Sequence, residues 1–323
     1  MKQLHYSEWA EFGWHGIRLT VPADWNPGKI EGDEKSGSVR LDDSEIVRLE
    51  IEWKDARGDD RVGMIVDRYV EGLAKDAQKQ KRTLQVERGA DCPGLDLSDV
   101  DAGEFFIWHS GFRVHTLACY SPVSDRFIFI RVMARPDESL KQPLPQLLNS
   151  LQDTARDAPK RWGLYDLVFT PPAGYGLEEY DLKSGHLRFR FQQGASIFQI
   201  DRLSLAEMLL RDRTLSEWYT DFFRKDLRHT ALDTQEAQVM GHNQGIQIYG
   251  KPRSRWRALL QPLPFWSARP RLYLEGRAWA CPESNKIYVV QSYWKRRDQA
   301  PDIEACTRRV ICHQEAARQA ETH

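Results

Sequence analysis

The alternation of apolar and polar residues predicts several strands in the first half of the chain. Between residues 47 and 53, apolar side chains occupy every second position and charged side chains lie between them. This two-residue period is typical of a strand with one buried side and one solvent-facing side. From Arg61 to Lys81 the apolar residues recur at helical spacing instead, which predicts a helix. Further strands are predicted at 17–21, 39–41, 103–109, 112–120 and 126–134.

Each half of the chain is also predicted to end in a helix. Residues 139–154 carry leucines at helical spacing, although Pro143 and Pro145 should confine the regular part to the later turns. In the second half, 214–227 is predicted as a central helix and 301–320 as the closing one. Strands joined by hairpins, with helices packed on them, predict the α+β fold class: an antiparallel sheet packed against helices.

Short motifs recur in the same order in the two halves. Residues 35–41 (KSGSVRL) are echoed by residues 183–189 (KSGHLRF), an offset of 148. Each half later reaches a Pro-Asp pair, at Asp137 and Asp302, in which the aspartate is a predicted helix N-cap. Ordered echoes of this kind predict a tandem duplication. We expect one copy in residues 1–158 and a second in residues 161–323.

The order of these elements, with Pro22-Ala23-Asp24-Trp25 closing an early strand, resembles the Mog1/PsbP-like fold, here in tandem. The resemblance covers both halves. Proteins of that fold are mostly non-catalytic binding partners, chaperones or assembly factors. The resemblance therefore implies binding more than chemistry, although a fold does not by itself determine a function.

The composition is that of a folded, soluble protein. Of the 323 residues, 41% are hydrophobic and 29% are charged. No apolar run reaches the ~18 residues of a membrane span, and the N-terminus has no signal-like stretch, so we expect a cytoplasmic protein. The chain lacks the phosphate-loop, dinucleotide, zinc-protease and serine-hydrolase motifs. An enzyme with an unrecognised site between the two copies stays open as an alternative.

The five cysteines are interpreted as reduced thiols. Zinc ligation is considered for Cys281, Cys306, Cys312 and His313. Cys306 and Cys312 are six residues apart, which differs from the two-to-four spacing of strong zinc sites. A buried apolar role explains the cysteines more simply. The sequence therefore predicts no cofactor and no metal.

A long insertion separates two strands of the second half. Residues 252–271 hold five arginines, two tryptophans, one phenylalanine and four prolines, without an acidic residue. Long loops in compact domains are uncommon and often functional, and Trp and Arg are frequent interface anchors. The predicted partner-binding residues are Arg253, Arg255, Trp256, Arg257, Leu260, Phe265, Trp266, Arg269 and Arg271. Packing of this insertion between the two copies is the competing interpretation.

Charge is distributed unevenly along the chain. Residues 1–160 carry 22 basic and 28 acidic residues, a net charge of −6, and residues 161–323 carry 24 and 19, a net charge of +5. We expect a non-enzymatic interaction protein, an adaptor, chaperone or complex subunit, whose partner is another protein bound through 252–271. The basic second half, with Lys295, Arg296 and Arg297, leaves nucleic acid as the alternative partner.

Overall fold

The computed structural model describes residues 2–58, 61–96, 102–183, 185–253 and 272–313. The chain divides into two compact units, Met1–Val168 and Phe169–His323. Strands account for 48% of the described residues and helices for 16%. None of the helices in the described ranges is long and apolar enough to cross a membrane. The expected α+β class is therefore wrong, because sheets dominate the structure, and the Mog1/PsbP-like resemblance is not confirmed.

Strands make up most of the first unit. They are β1 Lys2–Gln3, β2 Trp9–Trp14, β3 Ile17–Pro22, β4 Asn26–Gly32, β5 Ser36–Asp42, β6 Val47–Asp55, β7 Gln85–Arg88, β8 Ala102–His109, β9 Arg113–Ser121, β10 Arg126–Ala134, β11 Glu138–Ser139, β12 Gln152–Asp153, β13 Trp162–Leu164 and β14 Leu167–Phe169. Its helices are α1 Val62–Lys79 and α2 Pro143–Asn149. The boundary between the units falls inside β14.

Seven of these strands form one antiparallel sheet in the order β4-β5-β6-β10-β9-β8-β7. The predicted alternation of β6 holds from Leu49 onward, since Leu49, Ile51 and Trp53 are buried and the glutamates between them are more exposed, but Arg48, expected on the solvent-facing side, is buried. Helix α1 also lies where the helical period predicted it, and its Val62 and Val66 pack on the apolar side chains of β8 to β10. The helix covers only part of that sheet face.

A smaller sheet, of order β12-β3-β2-β13-β14, contributes the buried aromatic residues Phe12, Trp14 and Trp162. His15 forms the tip of the β2–β3 hairpin with φ of 47°, and only 8% of the residue is exposed. Its ring lies 5.5 Å from Trp14, 6.0 Å from Trp53 and 5.2 Å from Trp162, centroid to centroid. Burial lowers the pKa of His15 to about 4, because the protonated imidazole is poorly solvated there.

A buried ion pair joins β6 to the two-stranded parallel sheet of β1 and β11. The Arg48 guanidinium donates to both carboxylate oxygens of Glu138 and, through Nε, to Asp43. Arg48 and Glu138 are each 3% exposed. Because both charges are satisfied by hydrogen bonds, the pair is tolerated in the interior.

The second unit repeats the large sheet. Its strands are β15 Gly176–Lys183, β16 His186–Gln193, β17 Ser196–Ser204, β18 Thr230–Glu236, β19 Gly245–Pro252, β20 Tyr273–Cys281 and β21 Lys286–Trp294. The described α-helices are α3 Ala206–Leu209, α4 Leu215–Phe222 and α5 Ile303–Arg308, and a 3-10 helix spans Arg297–Gln299. The strand order β15-β16-β17-β21-β20-β19-β18 matches that of the first unit, position for position.

The core of this second sheet is built around the aromatic residues of α4. Trp218 and Tyr219 are almost fully buried against Ile248 and Val289. A capping box starts the helix, because the Thr214 hydroxyl accepts from the backbone of Glu217 and the Glu217 carboxylate accepts from the backbone of Thr214. These two bonds satisfy N–H groups that the first turn of a helix leaves without partners.

The predicted fold class is wrong because it overestimates the helices and overlooks the polar strands. The closing helix expected at 139–154 is the seven-residue α2, which begins at Pro143 and is flanked by β11 and β12. In place of a helix over 301–320, α5 spans six residues, and residues 314–320 lie outside the described ranges. Strands β4 and β15 are largely exposed and lack the alternation that reveals a half-buried strand.

Candidate binding groove

Most of the predicted contact residues lie outside the described residues. This applies to Arg255, Trp256, Arg257, Leu260, Phe265, Trp266, Arg269 and Arg271. Arg253 is described, and it follows directly after β19. Its backbone N–H donates to His229 O at 2.9 Å, and its Nε donates to Thr230 O at 3.1 Å. Arg253 therefore holds the start of the insertion against the beginning of β18.

The basic run that follows β21 is partly neutralised. Arg296 donates two hydrogen bonds, through Nε and Nη2, to the Asp298 carboxylate at 3.1 and 2.9 Å. Both side chains are largely exposed. Because Arg296 is paired within its own segment, the run 295–297 offers less net positive charge than its sequence indicates.

The first unit carries an apolar groove that the sequence does not reveal. The groove lies on the face of the seven-stranded sheet that α1 covers only in part, and its volume is about 430 Å³. Grooves of this size are typical of ligand and peptide sites. The lining residues are Ile46, Val47, Glu50, Tyr69, Leu73, Trp108, Ser110, Phe112, Val114, Arg131 and Met133.

Strand register explains how the floor of the groove forms. Trp108 of β8 lies opposite Val114 of β9, and Val114 lies opposite Met133 of β10. Side chains directly opposite one another on antiparallel strands share a face and contact each other. Phe112, in the β8–β9 turn, stands at the edge of this floor and is 43% exposed. Three adjacent strands thus present one continuous apolar surface.

A charged cluster closes one end of the groove. Arg131 donates to the carboxylates of Glu50 and Glu52 at 3.0 Å each, and its guanidinium lies 5.7 Å from the Tyr69 ring centroid. Burial by itself would lower the pKa of Arg131, but Tyr69 and the two glutamates outweigh it and raise that pKa. The cluster holds two acidic groups and one basic group, and the Arg131 side chain is only 12% exposed. This end of the groove therefore favours a cation.

The signals for the groove are weak in the sequence. Trp108 lies in a run of four apolar residues, Phe105 to Trp108, whose composition does not show which side chains face the helix. The register of β8 against β9 decides this, and register depends on the hairpin at Ser110 and Gly111. The one feature of the sequence that could indicate the groove is the phenylalanine at position 112, beside that hairpin.

The structure also brings together three of the four residues considered as metal ligands. Cys281, Cys312 and His313 converge, and the fourth member of the group is His242, which the sequence does not single out. Cys306 lies in α5, outside this group. Burial raises the pKa of the Cys312 thiol to about 12, and the neighbouring Cys281 acts in the same direction. His242 is 39 residues before Cys281, so spacing along the chain does not indicate this grouping.

No family model matches the chain, and no curated protein matches it. Among solved structures, the chain is similar to the immunity protein TplEi of the T6SS from Pseudomonas aeruginosa, complexed with "L" peptide. The two chains share 14% sequence identity, over 98% of this chain and 96% of that one, with a TM-score of 0.32. A score this low leaves both the fold and the function to be decided from the chain's own residues.

Proposed function

We propose that this chain is a non-enzymatic interaction protein that binds an apolar segment of a protein partner in the groove of its first unit. The observation that supports this most is the apolar floor of Trp108, Val114 and Met133, which lines a depression of about 430 Å³ edged by the exposed Phe112. Aromatic side chains in a desolvated depression supply most of the energy of many protein interfaces.

The charged end of the groove specifies the partner segment further. The Glu50 and Glu52 side chains are 37% and 54% exposed, whereas Arg131 is mostly covered. A segment that places Lys or Arg beside its apolar anchor pairs with these carboxylates. The net charge of −6 over residues 1–160 increases the association rate of such a basic segment.

Replacing Phe112 with alanine should weaken binding of an apolar-basic peptide by about 5- to 30-fold, the effect of losing roughly 1–2 kcal/mol of aromatic contact. The probe is a set of peptides selected from a random library on the full chain, with affinities measured by fluorescence anisotropy. Met64→Ala is the matched control, since Met64 is 44% exposed in the same unit and does not line the groove.

The expected peptides carry an aromatic or aliphatic residue next to Lys or Arg. Thermal melts of both variants should match the wild type, because both side chains are well exposed. Selected peptides whose affinity is the same for Phe112→Ala and Met64→Ala would contradict binding in the groove.

The insertion 252–271 is proposed as a second contact surface, supported by its Arg, Trp and Pro content. Changing Arg253, Arg255 and Arg257 together to glutamine should reduce partner affinity with a small change in salt dependence if the partner is a protein. If the partner is a nucleic acid, the log–log salt slope should fall by about one unit for each phosphate that an arginine no longer binds. Binding titrations at salt concentrations from about 50 to about 200 mM distinguish a protein partner from a nucleic-acid partner.

We also infer that the chain is a tandem duplication, with copies in residues 1–158 and 161–323. The matching strand order of the two seven-stranded sheets supports this. The β4–β5 hairpin of the first copy and the β15–β16 hairpin of the second also occupy equivalent positions in their sheets. Strand β5 corresponds to β16 by order, and residues 36–41 of the first repeated motif lie in β5 while residues 186–189 of the second lie in β16. Only one copy contains the long insertion, so the two copies are proposed to differ in their contacts.

A further inference from the structure

We infer that His242, Cys281, Cys312 and His313 form a structural zinc site in the second unit. The four ligand atoms all lie within 4.8 Å of one another. Two thiolates and two imidazoles are a donor set that zinc prefers, and four protein ligands without an open position are typical of structural sites.

Three separate segments position these ligands. His242 ends a tight turn before β19, in which Met240 and Gly241 have φ of 51° and 81°. The turn is closed by two backbone hydrogen bonds between Val239 and His242, at 2.9 and 3.1 Å. Cys281 is the last residue of β20, and the adjacent Cys312 and His313 follow α5. The backbone thus holds two of the ligands on ordered elements.

The distances fit a tetrahedron around one ion. The His242 Nε2 atom is 3.4 Å from Cys312 Sγ, and the His313 Nδ1 atom is 3.1 Å from Cys312 Sγ and 3.5 Å from Cys281 Sγ. With Zn–S of about 2.3 Å and Zn–N of about 2.0–2.1 Å, tetrahedral geometry separates S and N ligands by about 3.5 Å. The side chains therefore need only small shifts to coordinate zinc.

Charge balance supports the same assignment. Binding one Zn²⁺ forms two zinc–sulfur bonds and releases the two thiol protons to solvent, so the completed centre of two thiolates and two neutral imidazoles has no net charge. His242, Cys281 and Cys312 are each less than 9% exposed, and a neutral centre is compatible with that burial.

Glu283 supplies the outer partner that zinc-bound histidines usually have. Its Oε2 lies 3.7 Å from His242 Nδ1, whereas the other ring nitrogen, Nε2, faces Cys312 Sγ. The same oxygen is 3.2 Å from Cys281 Sγ, where the thiol donates. When zinc binding releases that thiol proton to solvent, the Cys281 thiolate no longer donates to Glu283, and the 52% exposed Glu283 side chain can turn fully to His242.

The site would fasten the segment after α5 to the sheet. Cys312 already contacts the sheet, because the Tyr288 hydroxyl donates to its backbone carbonyl at 3.2 Å. Zinc adds links to the end of β20 and to the turn before β19. Metal removal should therefore release residues 310–313 first, before the sheet itself unfolds.

The test is metal analysis of the full chain after loading with excess zinc and gel filtration. We expect one zinc per chain in the wild type and at least a 100-fold weaker zinc affinity in Cys281→Ser and His242→Ala, measured by chelator competition. Cys306→Ser is the matched control, since Cys306 is equally buried but lies outside the group, and it should keep its zinc. Chelation should lower the Tm of the wild type and of Cys306→Ser.

Cobalt substitution of the wild type keeps the inference testable even if the ligand variants do not fold. Tetrahedral cobalt bound to two thiolates gives intense visible d–d bands and a thiolate-to-cobalt charge-transfer band. Less than a tenth of an equivalent of zinc after loading, on the order of adventitious binding, would overturn the inference. So would the weak spectrum of octahedral cobalt, or a Cys281–Cys312 disulfide in freshly purified protein.

Discussion

Replacing Glu138 with leucine should lower the free energy of unfolding by about 3–5 kcal/mol, because it leaves the buried Arg48 without its main partner. The Arg48 Nη1 and Nη2 atoms donate to Glu138 at 2.6 and 3.1 Å, and Asp43 accepts only from Nε. Urea unfolding of the two proteins measures the difference. A loss below about 1 kcal/mol would mean that solvent reaches Arg48.

The matched control is the double variant Arg48→Met with Glu138→Leu. It removes the Arg48–Glu138 pair and leaves Asp43 accepting from the backbone N–H groups of Glu45 and Ile46, and apolar replacement of a buried pair is often neutral. We therefore expect the double variant to recover most of the stability lost in the single one. If the double variant is as unstable as Glu138→Leu, the loss comes from packing and not from an unpaired charge.

The same pair makes stability depend on acid pH. The hydrogen bond from Arg48 lowers the pKa of Glu138 below its ordinary 4.5. A carboxyl group with a lowered pKa contributes stability that is present above its unfolded pKa and is lost as the pH falls through the folded one. The stability advantage of wild type over Glu138→Leu should therefore shrink below about pH 4.

Acidification from pH 7 to pH 4 should cost about 3 kcal/mol of unfolding free energy through His15 alone. The pKa of His15 is about 4 in the folded protein, whereas an ordinary solvated histidine, as in the unfolded chain, has a pKa of 6.5. Between these values the unfolded chain binds a proton that the folded chain does not, so stability falls as the pH drops from about 6.5. Unfolding titrations at several pH values measure the slope.

The His15→Asn variant removes the titrating imidazole. Asparagine is compatible with the backbone there, because it tolerates the positive φ of position 15 better than most residues. The variant should show a flatter dependence on pH, whatever its stability at pH 7. His5→Asn, at an exposed position, is the control and should keep the wild-type slope. His115, whose burial also lowers its pKa to about 4, contributes equally to all three proteins. An unchanged slope in His15→Asn would show that the folded protein binds a proton at His15 as readily as the unfolded chain does.

The parts of the fold that the sequence predicts well are those with one strong periodicity. Strand β6 and helix α1 each have a single buried side, so the pattern alone identifies them. The closing helix predicted at 139–154 is wrong because Leu140, Leu144, Leu147 and Leu148 are buried by the short helix α2 and the segment before it, so their spacing does not require one long helix. Local composition does not separate these outcomes.

The candidate sites escape sequence-based prediction for a different reason. Trp108 and Met133 become neighbours only through the register of three strands, and His242 reaches Cys312 only after β18 and β19 pair. Both groupings arise from contacts between residues far apart in the chain. The insertion 252–271 is visible in the sequence because its composition is unusual locally, whereas a groove or a ligand cluster has no local signature.

Strands β4 and β15, each at the edge of its sheet, bear on how the molecules behave at high concentration. An edge strand has unpaired backbone groups to which a strand of another molecule can add, which starts aggregation. Both strands are charged and exposed, and both contain a bulge, between Pro27 and Lys29 in β4 and between Leu177 and Glu179 in β15. A bulge with charged neighbours disfavours such pairing. The irregularity that hides these strands in the sequence thus disfavours self-association at one edge of each seven-stranded sheet.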